Sequence, residues 1–175
     1  MTKLNAQELR KSDPSKKDIQ NIVRNPIYFV LDEIIDTYNI GSMFRLADAI
    51  SIEKMYLCGK MEYPPSSRIH KAAVGTESWV PWEKTKSTLE TVKKLKKEGV
   101  YIIVVEQSKN STSYKDLKPD FPCAIVVGNE SYGLDEEIIK EADVIVELPM
   151  HGINKSFNVW GTAAVVAYKT LESLK

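Results

Sequence analysis

The stretch CAIVVGNESYG, residues 123–133, joins a continuous apolar run to a turn that contains two glycines and a carboxylate. A short unbroken run rich in Val and Ile is typical of a strand covered on both faces, as in a parallel sheet. The turn GNESYG lacks the lysine of a Walker A loop, and the chain contains no G-x-G-x-x-G fingerprint. Taken alone, it favours an ordinary strand-to-helix turn that exposes Glu130.

Four more apolar runs flank this stretch and are also predicted to be strands. They are IYFVL (27–31), KMYLCG (54–59), VYIIVVE (100–106) and DVIVEL (143–148). Helical spacing of apolar residues lies between them, at 39–50, 85–98, 134–142 and 156–174. This alternation predicts an α/β fold, a mostly parallel sheet with helices on both faces. EYPPSSRIHKAAVG (62–75) is expected to be one long loop.

Composition bounds the class of protein. The chain has 175 residues, the length of one domain, and 24 basic residues balance 24 acidic ones, so bulk charge gives no argument for nucleic acid. Residues 1–25 form a locally basic arm ahead of the domain at 26–175, and a solvated arm is the simplest interpretation. This arm lacks the apolar core of a signal peptide, and no apolar run is long enough to span a bilayer.

Cysteine and histidine give little sign of special chemistry. Cys58 and Cys123 stand alone on apolar runs, which is typical of buried thiols in a reducing cytoplasm. His70 and His151 have no metal-ligand spacing, so we expect no metal.

Three polar clusters follow predicted strands: DTYNIGSMFR (36–45), GNESYG (128–133) and PMHGINKSFN (149–158). Ligands of open α/β sheets bind outside the carboxyl ends of the strands, so these clusters are expected to share one edge. Each also has a simpler interpretation. Asn39 can be a helix cap with Arg45 an ordinary surface residue, and Ser156 and Asn158 can cap the last helix.

Together, in this order and spacing, the clusters resemble the SpoU, or TrmH-like, family of RNA ribose 2′-O-methyltransferases in the SPOUT superfamily. The resemblance covers about residues 26–172, with Leu148 and Phe157 in place of the family's usual Ile and Leu. The three motifs N-x-G-x-x-x-R, G-N-E-x-x-G and I-P-M-x-G-x-x-x-S-L-N-V match Asn39, Gly41 and Arg45; Gly128, Asn129, Glu130 and Gly133; and Leu148, Pro149, Met150, Gly152, Ser156, Phe157, Asn158 and Val159.

The resemblance implies S-adenosylmethionine as cofactor, a C-terminal trefoil knot and a homodimer whose site takes residues from both chains. It implies cofactor contacts at Gly128, Leu148, Met150, Phe157 and Glu106, and a catalytic set of Arg45, Asn39, Glu130, Ser156 and Asn158. A loop that kinks around a flat base needs small residues, which Gly128 and Gly152 supply. An arginine has been proposed as the family's general base. A guanidinium resists deprotonation, so Arg45 is better suited to stabilising a developing alkoxide.

For RNA, the cations of SSRIHK and of the arm are the candidate phosphate contacts: Arg68, His70, Lys71, Lys16, Lys17 and Arg24. We expect tRNA as substrate, since the chain lacks the extra N-terminal domain that larger relatives use to hold rRNA. The alternatives are an rRNA methyltransferase and a catalytically inactive RNA-binding relative. A nucleotide-dependent oxidoreductase is a third, against which the missing dinucleotide fingerprint counts.

Overall fold

The computed structural model describes Asn5 and residues 14–174, and in that part of the chain a seven-stranded sheet forms the centre. Every strand pair in this sheet is parallel, and the spatial order is β3-β2-β1-β6-β4-β7-β5. The strands are β1 (Asn25–Asp32), β2 (Ile52–Cys58), β3 (Trp82–Thr85), β4 (Tyr101–Val105), β5 (Thr112–Ser113), β6 (Cys123–Val127) and β7 (Val144–Glu147).

Six α-helices accompany the strands within the described residues. They are α1 (Lys16–Gln20), α2 (Thr37–Ala49), α3 (Ser67–Ala73), α4 (Thr88–Lys97), α5 (Glu136–Ile139) and α6 (Val159–Leu171). Short polar side chains start several of them by accepting a free backbone N–H of the first turn. Ser87 begins α4 in this way by accepting from the N–H of Glu90 at 3.3 Å.

Apolar side chains cover the sheet on both faces, which explains the unbroken Val- and Ile-rich runs. Along β1, Ile27, Phe29 and Leu31 belong to one buried cluster, on the face where α2, α3 and α6 pack. Val30 points to the other cluster, on the face of α4 and α5. The predicted α/β class, with a parallel sheet between two helical layers, is confirmed.

Several predicted boundaries are wrong. The expected loop 62–75 contains α3, because the N-cap Ser66 accepts from Ile69 N–H and Ile69 is buried. The helix predicted at 134–142 is a single turn, and the final helix starts at Val159 rather than at 156. The short strands β3 and β5 were not predicted.

The order of the strands brings the three polar clusters together, as expected. β6 lies between β1 and β4, and β4 pairs with β7. All four are parallel, so their carboxyl ends meet at one edge of the sheet although β1 and β7 are far apart in sequence. The implied trefoil knot and the domain boundary at residue 25 stay predictions. In the part of the chain that the structure describes, no helix has the length and apolar character needed to cross a membrane.

The contact between α2 and α3 depends on a glycine. A Cβ added at Gly41 would lie 2.6 Å from the carbonyl oxygen of Ile69 and 2.8 Å from the backbone nitrogen of Ala73. Real Cβ atoms do not approach backbone so closely, so the two helices can cross here only without a side chain at this position.

We predict that Gly41→Ala lowers the free energy of unfolding. Alanine improves helix propensity by about 1 kcal/mol, but overpacking against backbone costs about 1–3 kcal/mol and needs the helices to move apart. Urea denaturation at a fixed protein concentration measures the difference. Ser42→Ala, on the same helix, is the control and should unfold near the wild-type midpoint. A Gly41→Ala protein as stable as wild type would contradict the tight crossing.

Candidate functional site

A cavity of about 700 Å³ opens at the carboxyl edge of β4, β6 and β7. Its walls come from the loops that follow these three strands and from the first turn of α6. Eight of the residues singled out from the sequence line it: Glu106, Gly128, Glu130, Leu148, Met150, Ser156, Phe157 and Asn158. The tertiary structure therefore brings most of the predicted cofactor and catalytic residues into one place.

The turn GNESYG folds back on itself at the cavity wall. Gly133 donates its N–H to the Asn129 carbonyl at 2.9 Å and has a φ of 67°, in the left-handed region that glycine tolerates. A Cβ on Gly128 would lie 2.5 Å from the carbonyl carbon of Gly133. Gly128 is thus required by the close approach of the Gly133 backbone, and Gly133 is favoured by its left-handed conformation.

The carboxylate of Glu130 binds the start of α2. One oxygen accepts from the N–H of Ile35 at 2.8 Å, and the other accepts from the N–H of Asp36 at 3.0 Å and from Asn39 Nδ2 at 2.9 Å. Burial by itself would raise the pKa of Glu130, but these donors outweigh it and hold the pKa below its ordinary value. Glu130 therefore stays ionised and acts as an acceptor.

Asn129 attaches the same turn to the end of β1. Its Nδ2 donates to the carbonyl of Glu33 at 2.8 Å, while its Oδ1 accepts from the N–H of Ser131 at 2.9 Å. The side chains of Asn129 and Glu130 therefore both attach the second motif to the segment that carries the first.

Glu106 supports the turn from the other side. Its two carboxylate oxygens accept from the N–H of Gln107 at 2.9 Å and of Leu134 at 3.3 Å. A Cβ on Gly133 would lie 2.5 Å from Glu106 Oε2, so the turn and this carboxylate are in close contact. Glu106 lines the cavity and also holds its wall in place.

The third cluster, residues 149–158, forms the opposite wall. Lys155 Nζ donates to the carbonyl of Gly152 at 2.9 Å, and the Gln107 side-chain amide donates to the carbonyl of Lys155. A Cβ on Gly152 would meet only the Asn154 carbonyl oxygen, at 4.0 Å. Neighbouring protein atoms therefore require a small residue at Gly128, while the need for one at Gly152 stays a prediction about the bound base.

Asn158 and Ser156 have different roles in this wall. Asn158 is the N-cap of α6, because its Oδ1 accepts from the N–H of Trp160 at 3.0 Å. Ser156 is exposed, lines the cavity and forms no hydrogen bond within the described residues. The capping interpretation is confirmed for Asn158 alone, and the Ser156 hydroxyl is available to a ligand.

Arg45 lies outside the cavity of its own chain. It occupies the exposed side of α2 and forms neither a hydrogen bond nor a salt bridge within the part that the structure describes. Asn39 is not the cap of this helix, as one interpretation held. Asp36 is, by accepting from the N–H of Tyr38 at 2.9 Å, while Asn39 is buried against Glu130.

The candidate RNA contacts lie apart from the cavity. Arg68, His70 and Lys71 are exposed on α3, and Lys16 and Lys17 are exposed on α1. Arg24 is partly buried and donates to the carbonyls of Ile52 at 3.1 Å and Trp79 at 3.2 Å, so it also serves the fold. The arm's other cations, Lys3, Arg10 and Lys11, lie outside the described residues.

Several polar residues of the cavity were not assigned to the site from the sequence, among them Gln107, Tyr132, Glu147, Lys155 and Thr162. Gln107 directly follows Glu106 at the end of β4, and Tyr132 belongs to the GNESYG motif, so their positions could have been read from the predicted strand ends. No group of three or more His, Cys, Asp or Glu residues in Asn5 and 14–174 is placed to hold a metal ion.

Comparison with known proteins assigns the family. The sequence model of the SpoU rRNA Methylase family matches residues 26–168. The 23S rRNA (guanosine-2'-O-)-methyltransferase RlmB of Neisseria meningitidis is 30% identical over 152 residues, which are 87% of this chain and 60% of that protein. The chain spans about three fifths of the length of the curated relatives it matches.

Solved structures agree on the fold. The TrmH/SpoU tRNA modifying enzyme of A. aeolicus superposes with a TM-score of 0.80 at 23% identity, over 90% of this chain and 79% of that one. The AdoMet bound rRNA methyltransferase of Sinorhizobium meliloti does so with a TM-score of 0.79 at 22% identity, over 88% of this chain and 59% of that one. The chain therefore belongs to the SpoU methylase family.

Proposed function

We propose that this protein is an RNA 2′-O-ribose methyltransferase that uses S-adenosylmethionine. The observation that carries the proposal is the cavity at the carboxyl edge of the sheet, into which the second and third motifs bring seven of the expected residues and the end of β4 brings Glu106. The family to which the chain belongs supports the same reaction class.

The cavity suits this cofactor in size and chemistry. Its volume of about 700 Å³ falls in the usual range for small-molecule sites. Apolar side chains such as Val146 and Leu148 fit a flat base, while the carboxylates of Glu106 and Glu147 fit a ligand that carries positive charge. Gly128, Leu148, Met150 and Phe157 are the residues we assign to holding it, with Glu106 beside them.

For this reaction the protein must align the ribose hydroxyl with the methyl group and assist the loss of the hydroxyl proton. S-adenosylmethionine supplies a methyl group already activated on sulfur, so the S–CH₃ bond breaks as an O–CH₃ bond forms and the ribose hydroxyl loses its proton. We assign Arg45 to stabilising the oxygen as that proton leaves, since a guanidinium is a poor base. Ser156 is available to position the substrate, and Asn39, Glu130 and Asn158 hold the walls.

Arg45 is exposed and does not line the cavity of its own chain, so a second chain is the route by which we assign it to a cavity. We therefore infer a homodimer in which Arg45 of one chain serves the cavity of the other. Large apolar side chains left exposed near the mutually packed helices α2 and α6 support this inference: Ile35, Tyr38, Trp160 and Tyr168.

The substrate we favour is tRNA, with rRNA as the alternative. The A. aeolicus structure is named a tRNA modifying enzyme and the Neisseria relative acts on 23S rRNA, so the family contains both. Labelled-methyl transfer to bulk tRNA and to bulk rRNA distinguishes the two, and an inactive RNA-binding relative would label neither. A cytoplasmic location stays a prediction that rests on the two unpaired cysteines.

We predict that S-adenosylmethionine raises the melting temperature, because a ligand that binds only the folded state stabilises it by mass action. Gly128→Val should abolish the shift, since its side chain would collide with the Gly133 backbone in the cavity wall. Gly99→Ala, where the added Cβ has no atom within 4 Å but the φ of 82° is strained for alanine, is the control: its own melting temperature should fall and the shift should remain. Calorimetry that detects no binding at millimolar cofactor would contradict the cofactor assignment.

We predict that Arg45→Ala lowers methyl transfer by roughly 10²–10³-fold, the loss typical for one donor that stabilises a developing oxyanion. Melting temperature and cofactor affinity should stay near wild type, because Arg45 is exposed and remote from the cavity of its own chain. Arg45→Lys keeps the charge but loses the planar fork, so it should also be impaired. Lys94→Ala, on the opposite helical layer, is the control. Near-native turnover in Arg45→Ala would leave Arg45 an ordinary surface residue.

We predict that the protein sediments at twice its chain mass of about 20 kDa at micromolar concentration. Trp160→Asp should shift it toward the monomer, because a carboxylate would then be buried in an apolar interface. Val23→Asp, at an exposed position outside α2 and α6, should leave the dimer intact. A wild-type protein found only as monomer would remove the route by which Arg45 reaches a cavity.

A further inference from the structure

The carboxylate of Glu77 does not line the cavity and lies next to α3, the helix that carries the candidate RNA contacts. Glu77, just after α3, has a side chain that is only 12% exposed, and its Oε1 lies 2.5 Å from Nδ1 of His70. Its other oxygen, Oε2, is buried and has no hydrogen-bond partner among the described residues. Burying a carboxylate is costly, so its retention next to a single imidazole needs a reason.

The backbone between the two residues makes the contact possible. α3 ends at Val74, whose φ of 56° and ψ of 37° lie in the left-handed region, and Gly75 follows with a φ of 91°. This conformation is unfavourable for a β-branched residue. The turn reverses the chain so that Glu77 comes back against His70, seven residues earlier. Strained backbone of this kind concentrates at functional sites.

The contact determines which atom of His70 faces outward. The hydrogen bond between Nδ1 of His70 and Oε1 of Glu77 fixes the orientation of the imidazole ring. Nε2, across the ring, is left for another partner, and the His70 side chain is 68% exposed. A histidine held by a carboxylate in this way has a defined orientation.

The surroundings indicate what that partner is. Arg68 and Lys71, on the same short helix, are exposed, and neither forms a salt bridge within Asn5 and 14–174. α3 packs against α2, the helix that carries Arg45, through the crossing at Gly41. Three cationic or hydrogen-bonding side chains, next to the helix assigned to the reaction, complement the sugar–phosphate backbone of a nucleic acid.

We propose that Glu77 is a positioning residue that holds His70 so that its Nε2 contacts the sugar–phosphate backbone of the RNA substrate. The inference rests on the proposed function for its substrate class. It goes further by assigning the buried carboxylate to substrate binding, although Glu77 itself touches no RNA. The contact provides affinity and orientation, and cofactor binding does not depend on it.

A double-mutant cycle tests the proposal. The dissociation constant for bulk tRNA is measured by fluorescence anisotropy for wild type, His70→Ala, Glu77→Gln and the double variant. His70→Ala should weaken binding about three- to tenfold, the range for one hydrogen bond. Glu77→Gln should weaken it by a similar or smaller factor, and the double variant should be no worse than His70→Ala. KM for RNA should rise with little change in kcat.

Controls separate this role from a structural one. Glu83→Gln removes another carboxylate, one paired with Lys54, and should leave RNA affinity unchanged. S-adenosylmethionine affinity should match wild type in every variant, since none of these residues lines the cavity. His70→Ala opens no core cavity because the ring is largely exposed, so it remains informative even if Glu77→Gln fails to fold.

Two results would overturn the proposal. One is a wild-type RNA affinity in His70→Ala, and the other is a loss in Glu77→Gln that persists unchanged in the His70→Ala background. The second would mean that Glu77 acts on the fold and not through His70. If wild-type protein methylates neither tRNA nor rRNA, the proposed function fails instead. If methylation proceeds but neither His70→Ala nor Glu77→Gln changes the affinity for RNA, the proposed function stands and only this inference fails.

Discussion

The carboxylate of Glu130 is the interaction on which the arrangement of the site depends. It accepts three hydrogen bonds from the β1–α2 segment, two from backbone N–H groups of Ile35 and Asp36 and one from the Asn39 side chain. These partners lie more than ninety residues away in sequence. The bonds outweigh the cost of burial and lower the pKa of the group, so it stays charged while it holds them. The cavity wall and the helix that carries Arg45 are therefore one connected unit.

These hydrogen bonds give the Glu130 carboxylate of the second motif a structural role. A carboxylate with three donors is poorly placed to accept a proton from a substrate, and its value to the reaction lies in geometry. The Asn39 side chain is also already engaged, because its amide donates a hydrogen bond to Glu130. Among the polar side chains matched to the family's catalytic set, Ser156 and Arg45 are the two that form no hydrogen bond within the described residues. Of these two available groups, Ser156 lines the cavity and Arg45 lies outside the cavity of its own chain.

Parallel pairing explains why residues so distant in sequence share one edge. β6 lies between β1 and β4, and β7 pairs with β4, so four consecutive strands in space end together. The loops after them must then contact each other, and the close approach of Gly128, Gly133 and Glu106 shows how little room they leave. The substrate contacts that we assign to α3 lie elsewhere, on the helical layer that packs against one face of this sheet. Cofactor and RNA are thereby given separate surfaces that meet at α2.

The sequence by itself determined the class of fold, because strands buried on both faces must be apolar throughout and leave an unbroken Val- and Ile-rich signature. It also identified the eight predicted residues of the cavity, since seven follow strand ends in motifs of fixed spacing and Glu106 directly follows β4. It could not show that Asn158 caps a helix while Ser156 stays free, or that Gly128 lies against the backbone of Gly133. Those differences depend on which backbone atoms come within hydrogen-bonding or contact distance. The pairing of His70 with Glu77 is of the same kind, because only a turn in the left-handed region brings the two side chains together. Spacing along the chain specifies which residues are near the site, and tertiary packing decides which of their polar atoms are already satisfied and which remain for a ligand.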